Sequence, residues 1–230
     1  MDKVRSLCRN VQELRMPGDR LSILREPKLF PKLRKLWLHN AMLPRHLYES
    51  LLCMPRLEGV YGVNLGQCGG NVDMFSKVRE VCADFTHGAD AFGLPRGRRA
   101  FPSQRFPDLQ SLRLVDPPDN VLSRSNCPPG LVNLSVQGFR GRSQFLPPGL
   151  QRLVWHSKCD PPAAVATLTE LRELDIDAEK IPQMPRLESL RFRNVKWSKD
   201  ATDRVSQLYA LHSLRLDCQI NSGELGSFYR

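Results

Sequence analysis

The four-residue segment Pro-Pro-Gly-Leu occurs twice near the middle of the chain. The first copy ends at Leu131 and the second at Leu150, and each is followed by apolar residues three and five positions further on. A unit that returns at an interval of about 20 residues is typical of a stacked repeat architecture. The chain therefore predicts repeats, and the same spacing can be sought elsewhere.

The spacing L-x-x-L-x-L, or a looser apolar version of it, recurs ten times between residues 11 and 216. The middle apolar residues of the ten copies are Leu14, Leu36, Val60, Val81, Leu112, Leu134, Leu153, Leu174, Leu190 and Leu214. The copies are unevenly spaced, and six of them follow a short proline-containing run. Because a chance cluster of leucines would not be preceded by the same proline-containing runs, we interpret the chain as about ten repeats.

This pattern resembles the leucine-rich repeat family along nearly the whole chain. The resemblance implies an α/β solenoid with a curved parallel β-sheet on the concave side, to which each repeat contributes one strand. Short helices, 3₁₀ turns and Pro-rich loops are expected on the convex side. The repeats are irregular and lack that family's asparagine ladder. The ninth position of the repeat, where the asparagine would stand, holds residues such as Ala41, Thr86, Phe139 and Gln219.

The returns between the predicted strands differ in their helical signals. Pro44, followed by apolar residues at helical spacing, predicts a helix over about Pro44 to Cys53. Ser198, with aspartates in the following turn, predicts a second helix before the last strand. The returns after Asp116 and Gln137 are rich in proline and predict extended chain or tight turns.

Composition narrows the class of protein. The 230 residues carry a net charge of +10, and mean hydropathy is −0.38. Neither an apolar run long enough for a membrane span nor a signal-peptide core is visible, so we expect no membrane span and an intracellular protein, cytoplasmic or nuclear, with a mitochondrial location left open. The seven cysteines are scattered without a Cys-x-x-Cys pair, which predicts reduced thiols instead of disulfides or a zinc site.

No catalytic signature is recognisable in the chain. Phosphate-binding glycine loops, serine-nucleophile elbows and zinc-protease motifs are missing from the sequence, and the five histidines fall in different repeats. We therefore predict no catalytic residue, no metal, no cofactor, no small-molecule substrate and no enzymatic activity.

Side chains alternate along a strand, which predicts one continuous buried ladder of Leu112, Leu134, Leu153, Leu174, Leu190 and Leu214. The same alternation predicts which residues face the concave side. It places Trp37 beside Tyr61 near one end, and Asp175 beside Arg191, with Arg193 flanked by aspartates, near the other. The predicted partner-binding residues are Trp37, His39, Tyr61, Arg113, Asp175, Arg191, Arg193 and Arg215. Two alternatives stay open: the first residues of the chain could cover Trp37, and the charged residues could pair with one another.

Basic charge is concentrated in residues 1–115, with a net +8 against +2 in the remainder. A basic loop insertion at about residues 88–107, within one leucine-rich repeat domain spanning 1–230, contributes to it. The possible contacts to RNA or to an acidic partner are Arg96, Arg98, Arg99 and Arg105, which we expect to be solvent-exposed and outside the strands. Phe101 and Phe106 lie among these arginines, and arginine with aromatic residues fits phosphate contact plus base stacking.

The sequence thus predicts a non-catalytic protein–protein interaction scaffold, a subunit of a larger complex that binds a protein partner on its concave face. One alternative is an RNA- or ribonucleoprotein-associated subunit that uses the basic half and the insertion. A second is the substrate-recognition part of a ubiquitin ligase, although the start of the chain shows no F-box pattern. Mixed charge on the concave face favours protein binding.

Overall fold

The ten predicted repeat segments all form strands of one parallel sheet. The computed structural model of the protein describes residues 8–42, 45–64, 75–85, 100–119, 121–140, 145–157, 159, 163–177, 184, 186–196 and 199–219. The strands are β1 Glu13–Pro17, β2 Lys35–Met42, β3 Gly59–Asn64, β4 Glu80–Asp84, β5 Ser111–Val115, β6 Asn133–Gln137, β7 Arg152–His156, β8 Glu173–Ile176, β9 Ser189–Lys196 and β10 Ser213–Gln219. They follow chain order across the sheet.

The middle apolar residues of the repeats line up from strand to strand and form the core. Each pairs with its counterpart in the next strand, from Leu14 with Leu36 to Leu190 with Leu214. From β2 to β9 all of these side chains are at most 4% exposed. This burial confirms the predicted ladder in the interior of the sheet.

Leu214 was expected to belong to this buried ladder, and that expectation is wrong. Its side chain is 38% exposed. In the sheet order β10 has β9 on one side, and no other strand of the described chain follows it. A leucine in the last position is therefore covered from one direction, whereas Leu190 is covered from two.

The returns follow the helical signals in the sequence. Helix α1 spans Arg45–Leu52, within a residue of its predicted bounds at each end. Helix α2 spans Lys199–Val205, in the return where the second helix is predicted. Within the described ranges, 3₁₀ helix occupies Gly18–Arg25, with a kink at Arg20, and Pro27–Leu29, Ser103–Arg105 and Ala163–Thr167. The described parts of the returns after β5 and β6 contain no helix, as expected where prolines remove backbone donors.

The second part of the predicted insertion belongs to the core and not to a solvated loop. Phe101 and Phe106 are each 1% exposed. The Phe106 ring stacks on Phe75 with centroids 5.4 Å apart, and the Phe101 N–H donates to the Val121 carbonyl at 2.7 Å. The prediction that these phenylalanines are available to stack on bases is therefore wrong, because they pack behind the sheet.

The register between β2 and β3 shifts along the strands. Trp37 pairs with Tyr61, but further on Ala41 pairs with Val63, so His39 is not opposite Val63 as simple alternation predicts. Gly62 lies at this shift with a φ of 67°, a conformation that favours glycine. A side chain there would also collide with the carbonyl oxygen of Leu38.

Candidate functional site

Three side chains from consecutive strands form a stack on the concave face near its N-terminal end. Arg15, Trp37 and Tyr61 occupy the same register position in β1, β2 and β3. The Trp37 and Tyr61 rings are 4.6 Å apart between centroids, with planes inclined by 7°. The Arg15 guanidinium lies 4.7 Å from the Trp37 ring centroid, within the range of a cation–π interaction. We call these three residues the aromatic stack.

Tyr61 is fixed in the aromatic stack by contacts at the hydroxyl end of its ring. Its hydroxyl donates a hydrogen bond to the Glu80 carboxylate, which also accepts from the Lys35 ammonium at 3.2 Å. Burial and the bond to Glu80 raise the pKa of Tyr61, so the hydroxyl stays protonated. The ring lies against Gly59, where a Cβ would come within 2.8 Å of the Tyr61 hydroxyl oxygen.

The predicted adjacency of Trp37 and Tyr61 is therefore present, and both side chains are half-buried while Arg15 is exposed. Arg15 was not among the predicted site residues, although the alternation that selected Trp37 and Tyr61 also selects it. The backbone of His39 lies in β2 and pairs with Pro17. The His39 side chain lies outside the part that the structure describes.

On the concave face near β8 and β9, Asp175 is bonded to two basic side chains. The Asp175 carboxylate accepts hydrogen bonds from Arg193 Nε at 3.1 Å and Nη2 at 3.0 Å, and His156 Nε2 lies 2.9 Å from its Oδ1. Burial by itself would raise the pKa of Asp175, but the bonds from Arg193 and His156 outweigh it and lower the pKa. This carboxylate is already satisfied within the protein.

Asp217 has a similar arrangement at the next strand. Its carboxylate accepts hydrogen bonds from Arg191 and, at 3.2 Å, from Arg215 Nε. These bonds lower the pKa of Asp217. The predicted charged residues thus pair with one another, but Arg191 reaches diagonally to Asp217 and is not bonded to Asp175 directly opposite.

Arg193 bonds to Asp175 and not to Asp177, the aspartate that alternation places beside it. The Oδ1 atom of Asp177 is buried and has no hydrogen-bond partner among the described residues. Its burial raises the pKa of Asp177. Asp175 and Asp177 are two residues apart in the chain, but their environments differ because the Arg193 side chain reaches only Asp175.

Arg113 lies between the aromatic stack and the charged residues. It is exposed and donates to the Gln137 side-chain oxygen at 2.7 Å. The neighbours in register on its two sides, Cys82 and Ser135, are uncharged. Arg113 is thus a separate cation in the middle of the concave face.

The arginines of the predicted insertion are only partly described. Arg96, Arg98 and Arg99 lie outside the described residues. Arg105 lies in a 3₁₀ helix and is half-buried, and its carbonyl accepts the Phe75 N–H at 2.8 Å. Arg105 is thus not the fully exposed loop residue that the sequence predicts.

The two Pro-Pro-Gly-Leu segments form a groove that sequence reasoning did not anticipate. The groove has a volume of about 840 Å³ and lies among the returns that follow β5 to β7. Its lining is largely apolar and includes Pro128, Pro129, Phe145 and Pro147, with Arg124 as the charged residue. The repeated prolines indicated the boundaries of the repeats, but nothing in their pattern indicated an open groove between the two segments.

No cluster of three or more His, Cys, Asp or Glu side chains suited to a metal ion occurs in the described ranges. The cysteines described there are free. No helix in the same ranges combines the length and the apolarity that a membrane crossing requires.

The chain matches no protein-family model and no curated protein in sequence. Its structure is similar to that of TLR13, solved as a TLR13–ssRNA13 complex, with a TM-score of 0.57 and 17% sequence identity. The match covers 98% of this chain and 39% of the TLR13 chain. The likeness and the ten-stranded parallel sheet establish an α/β leucine-rich repeat solenoid.

Proposed function

We propose that the protein is a non-catalytic protein-binding scaffold, a subunit of a larger complex, whose partner docks on the concave face over the aromatic stack. The observation that carries the proposal is the stack of Arg15, Trp37 and Tyr61. Trp, Tyr and Arg are the residue types that dominate binding hot spots in protein interfaces.

The aromatic stack suits docking because its rings are already ordered. Trp37 is flanked by Arg15 and Tyr61, while Gly59 and Glu80 fix Tyr61. A partner that covers their exposed edges would therefore lose little side-chain entropy, and such preorganisation favours affinity. The mutual stacking also makes cover by the first residues of the chain unnecessary for the rings to be packed.

The chemistry around the stack indicates what the partner presents. The exposed Arg15 offers a cation beside the rings, and Lys35 is about one-third exposed at its bond to Glu80. A partner segment with an apolar or aromatic side chain next to a carboxylate would match this surface. The saturated carboxylates of Asp175 and Asp217 offer less, because their hydrogen-bond donors come from the same chain.

The test is a calorimetric titration of the protein and its Trp37→Ala variant with a partner captured by affinity purification after nuclease treatment. We expect the variant to lose about 2 kcal/mol or more of binding free energy and to keep the wild-type melting curve by circular dichroism. Tyr209→Ala, at an aromatic residue that is 91% exposed and lies outside the strands, serves as the control with little loss. Retained binding by Trp37→Ala, or a melt that collapses together with binding, would assign Trp37 to packing.

RNA association is the second candidate function. The net charge of +8 in residues 1–115 favours it, and the TLR13 structure that this chain resembles is a complex with ssRNA13. The burial of Phe101 and Phe106 removes base stacking by these two residues from this candidate. What supports it is basic charge and not an aromatic platform in the insertion.

A further inference from the structure

A row of lysine and arginine side chains lies along the edge of the sheet where the chain enters β2, β3 and β4. This row, the basic edge, consists of Lys32, Arg34, Arg56, Lys77 and Arg79, all of them exposed. They flank the buried first apolar residue of each repeat, which is Leu33, Leu57 or Val78. Because adjacent strands lie about 4.8 Å apart, equivalent positions line up and the cations form a line across the repeats.

No carboxylate of the described residues lies within salt-bridge distance of the two lysines of the basic edge. The Lys32 ammonium donates to the Asn10 side-chain oxygen at 2.8 Å. The Lys77 ammonium donates to the Pro55 carbonyl oxygen at 3.2 Å. Both acceptors are neutral and belong to the turn of an earlier repeat. These bonds hold the ammonium groups along the edge without neutralising them.

The arginines add further charge around a polar cleft. Arg34 is paired with Glu58 at 2.8 Å, but no described carboxylate lies within salt-bridge distance of Arg56 or Arg79. A cleft of about 320 Å³ opens here and is lined by Pro55, Arg56, Glu58, Ser76, Lys77, Arg79 and Asp108. With Glu58 already bound to Arg34, cations outnumber the remaining carboxylate, so the cleft attracts an anion.

The equivalent edge of later repeats shows that such charge is not a general property of the solenoid. At the entry to β8 and β9, Arg186 pairs with Glu170 at 2.9 Å and Arg172 with Glu188 at 3.5 Å. These four residues occupy the same positions in their repeats as Lys32, Arg34 and their counterparts do. The later edge is therefore neutral, while the basic edge keeps an excess of positive charge.

We propose that the basic edge binds the phosphate backbone of a nucleic acid. A protein partner would need an apolar or aromatic anchor, and the lining of this cleft contains no aromatic residue. A flat lipid surface would meet the outer cations but would not fill the cleft between the turns. Phosphate contacts position a nucleic acid without reading its sequence, so the binding is expected to be sequence-independent. This inference rests on the RNA-associated candidate and is independent of docking on the concave face.

The experiment compares two triple variants of the full chain that lose the same charge. Arg56→Ala/Lys77→Ala/Arg79→Ala removes three cations from the basic edge. Arg152→Ala/Arg172→Ala/Arg186→Ala removes three exposed cations that are paired with carboxylates. Each protein is titrated with fluorescent oligouridine RNA, and with DNA of the same length, from about 50 to about 200 mM salt.

We expect the basic-edge variant to bind about tenfold or more weakly at the higher salt. Its slope of log affinity against log salt should fall by about 2, since each single-strand phosphate contact contributes about 0.7. The paired-arginine variant should keep the wild-type slope. Equal binding of RNA and DNA would show that the backbone alone is recognised, and preference for RNA would add a contact to the ribose; both outcomes support the proposal. Equal weakening of both triple variants, or of neither, would overturn it.

Two further measurements keep the outcomes distinct. Arg56→Lys/Arg79→Lys preserves charge and should retain binding, and Lys77→Ala alone should lower the slope by about 0.7, even if the triple variant melts early. If the wild type binds no oligonucleotide but binds polyglutamate or phosphatidylserine vesicles, the RNA candidate itself fails. If the wild type binds RNA and the basic-edge variant binds equally well, RNA association stands and its assignment to this edge fails.

Discussion

On the concave face, β1 to β3 carry one cation and two aromatic rings in a single stack, whereas β7 to β10 carry a histidine, aspartates and arginines bonded to one another. Arg15, Trp37 and Tyr61 occupy the same register position in the sheet as Asp175, Arg191 and Arg215. His156, Arg193 and Asp217 lie two residues further along their strands. In the first region Arg15 lies over Trp37 and keeps its charge exposed. In the second, Asp175 and Asp217 take up the charges of neighbouring arginines.

The scaffold alone therefore does not decide which groups a repeat surface presents to a partner. Stacking at about 4.8 Å brings neighbouring side chains together everywhere on the sheet. Complementary charges then use up their own hydrogen-bonding capacity, whereas the stacked rings of Trp37 and Tyr61 remain partly exposed. The same contrast holds at the strand-entry edge, where Arg172 and Arg186 are paired with carboxylates but Arg56 and Arg79 have no carboxylate partner in the part of the chain that the structure describes.

Substitution of a core leucine should cause the greatest loss of stability, and it tests the strand register on which both regions depend. Leu153 is fully buried between β6 and β8, so Leu153→Ala should lower the free energy of unfolding by about 2–5 kcal/mol. Leu214→Ala is the matched control, because that leucine is 38% exposed and should cost about 1 kcal/mol. Urea denaturation measures both, and equal losses would contradict the assignment of Leu153 to the core.

A smaller effect is expected where the charged region stabilises the fold. Asp175→Asn should cost about 1–2 kcal/mol at neutral pH, because its side chain is 17% exposed but Arg193 is 34% exposed and partly screened. The folded-state pKa of Asp175 is lowered, so its contribution is present above the ordinary value of about 3.9 and is lost as pH falls through the folded-state pKa. The difference between wild type and variant should therefore shrink in acid. A difference that is independent of pH, in unfolding curves at neutral and acid pH, would rule out the ionic role.

The smallest expected effect concerns the other region. Tyr61→Phe removes the hydrogen bond to Glu80 but keeps the ring on Trp37, so the free energy of unfolding should fall by about 0.5–1.5 kcal/mol. Partner binding on the aromatic stack should change little. If calorimetry shows binding lost while the fold persists, the hydroxyl itself contacts the partner and the ring edges are not the main contact.

Much of the fold follows from alternation in the sequence. The ten strands, their order and the adjacency of Trp37 and Tyr61 were predictable because the flanking leucines must point inward, which turns the residue between them outward. Helix α1 was predictable because Pro44 and the apolar spacing agree. In each case a local pattern and the global repeat demand the same structure.

The remaining features depend on geometry that spacing does not contain. Arg193 pairs with Asp175 and not with Asp177, because its long side chain can reach diagonally across the sheet. Nothing in the sequence indicates which of the two carboxylates it bonds. Phe101 and Phe106 resemble loop residues because they adjoin prolines and arginines, yet they fill the space behind the sheet. The exposure of Leu214 depends on what lies beyond the last strand.

The repeats differ widely in length, from the short step between Leu171 and Leu187 to the long step between Val78 and Leu109. Strand pairing nevertheless stays in register at the middle apolar position of every repeat. The backbone ladder therefore sets the spacing of the concave residues, and the length of the return does not. Since longer surface loops cost little additional closure entropy, such a chain can gain or lose residues behind the sheet during evolution. The concave binding surface and the returns on the convex side can therefore diversify independently.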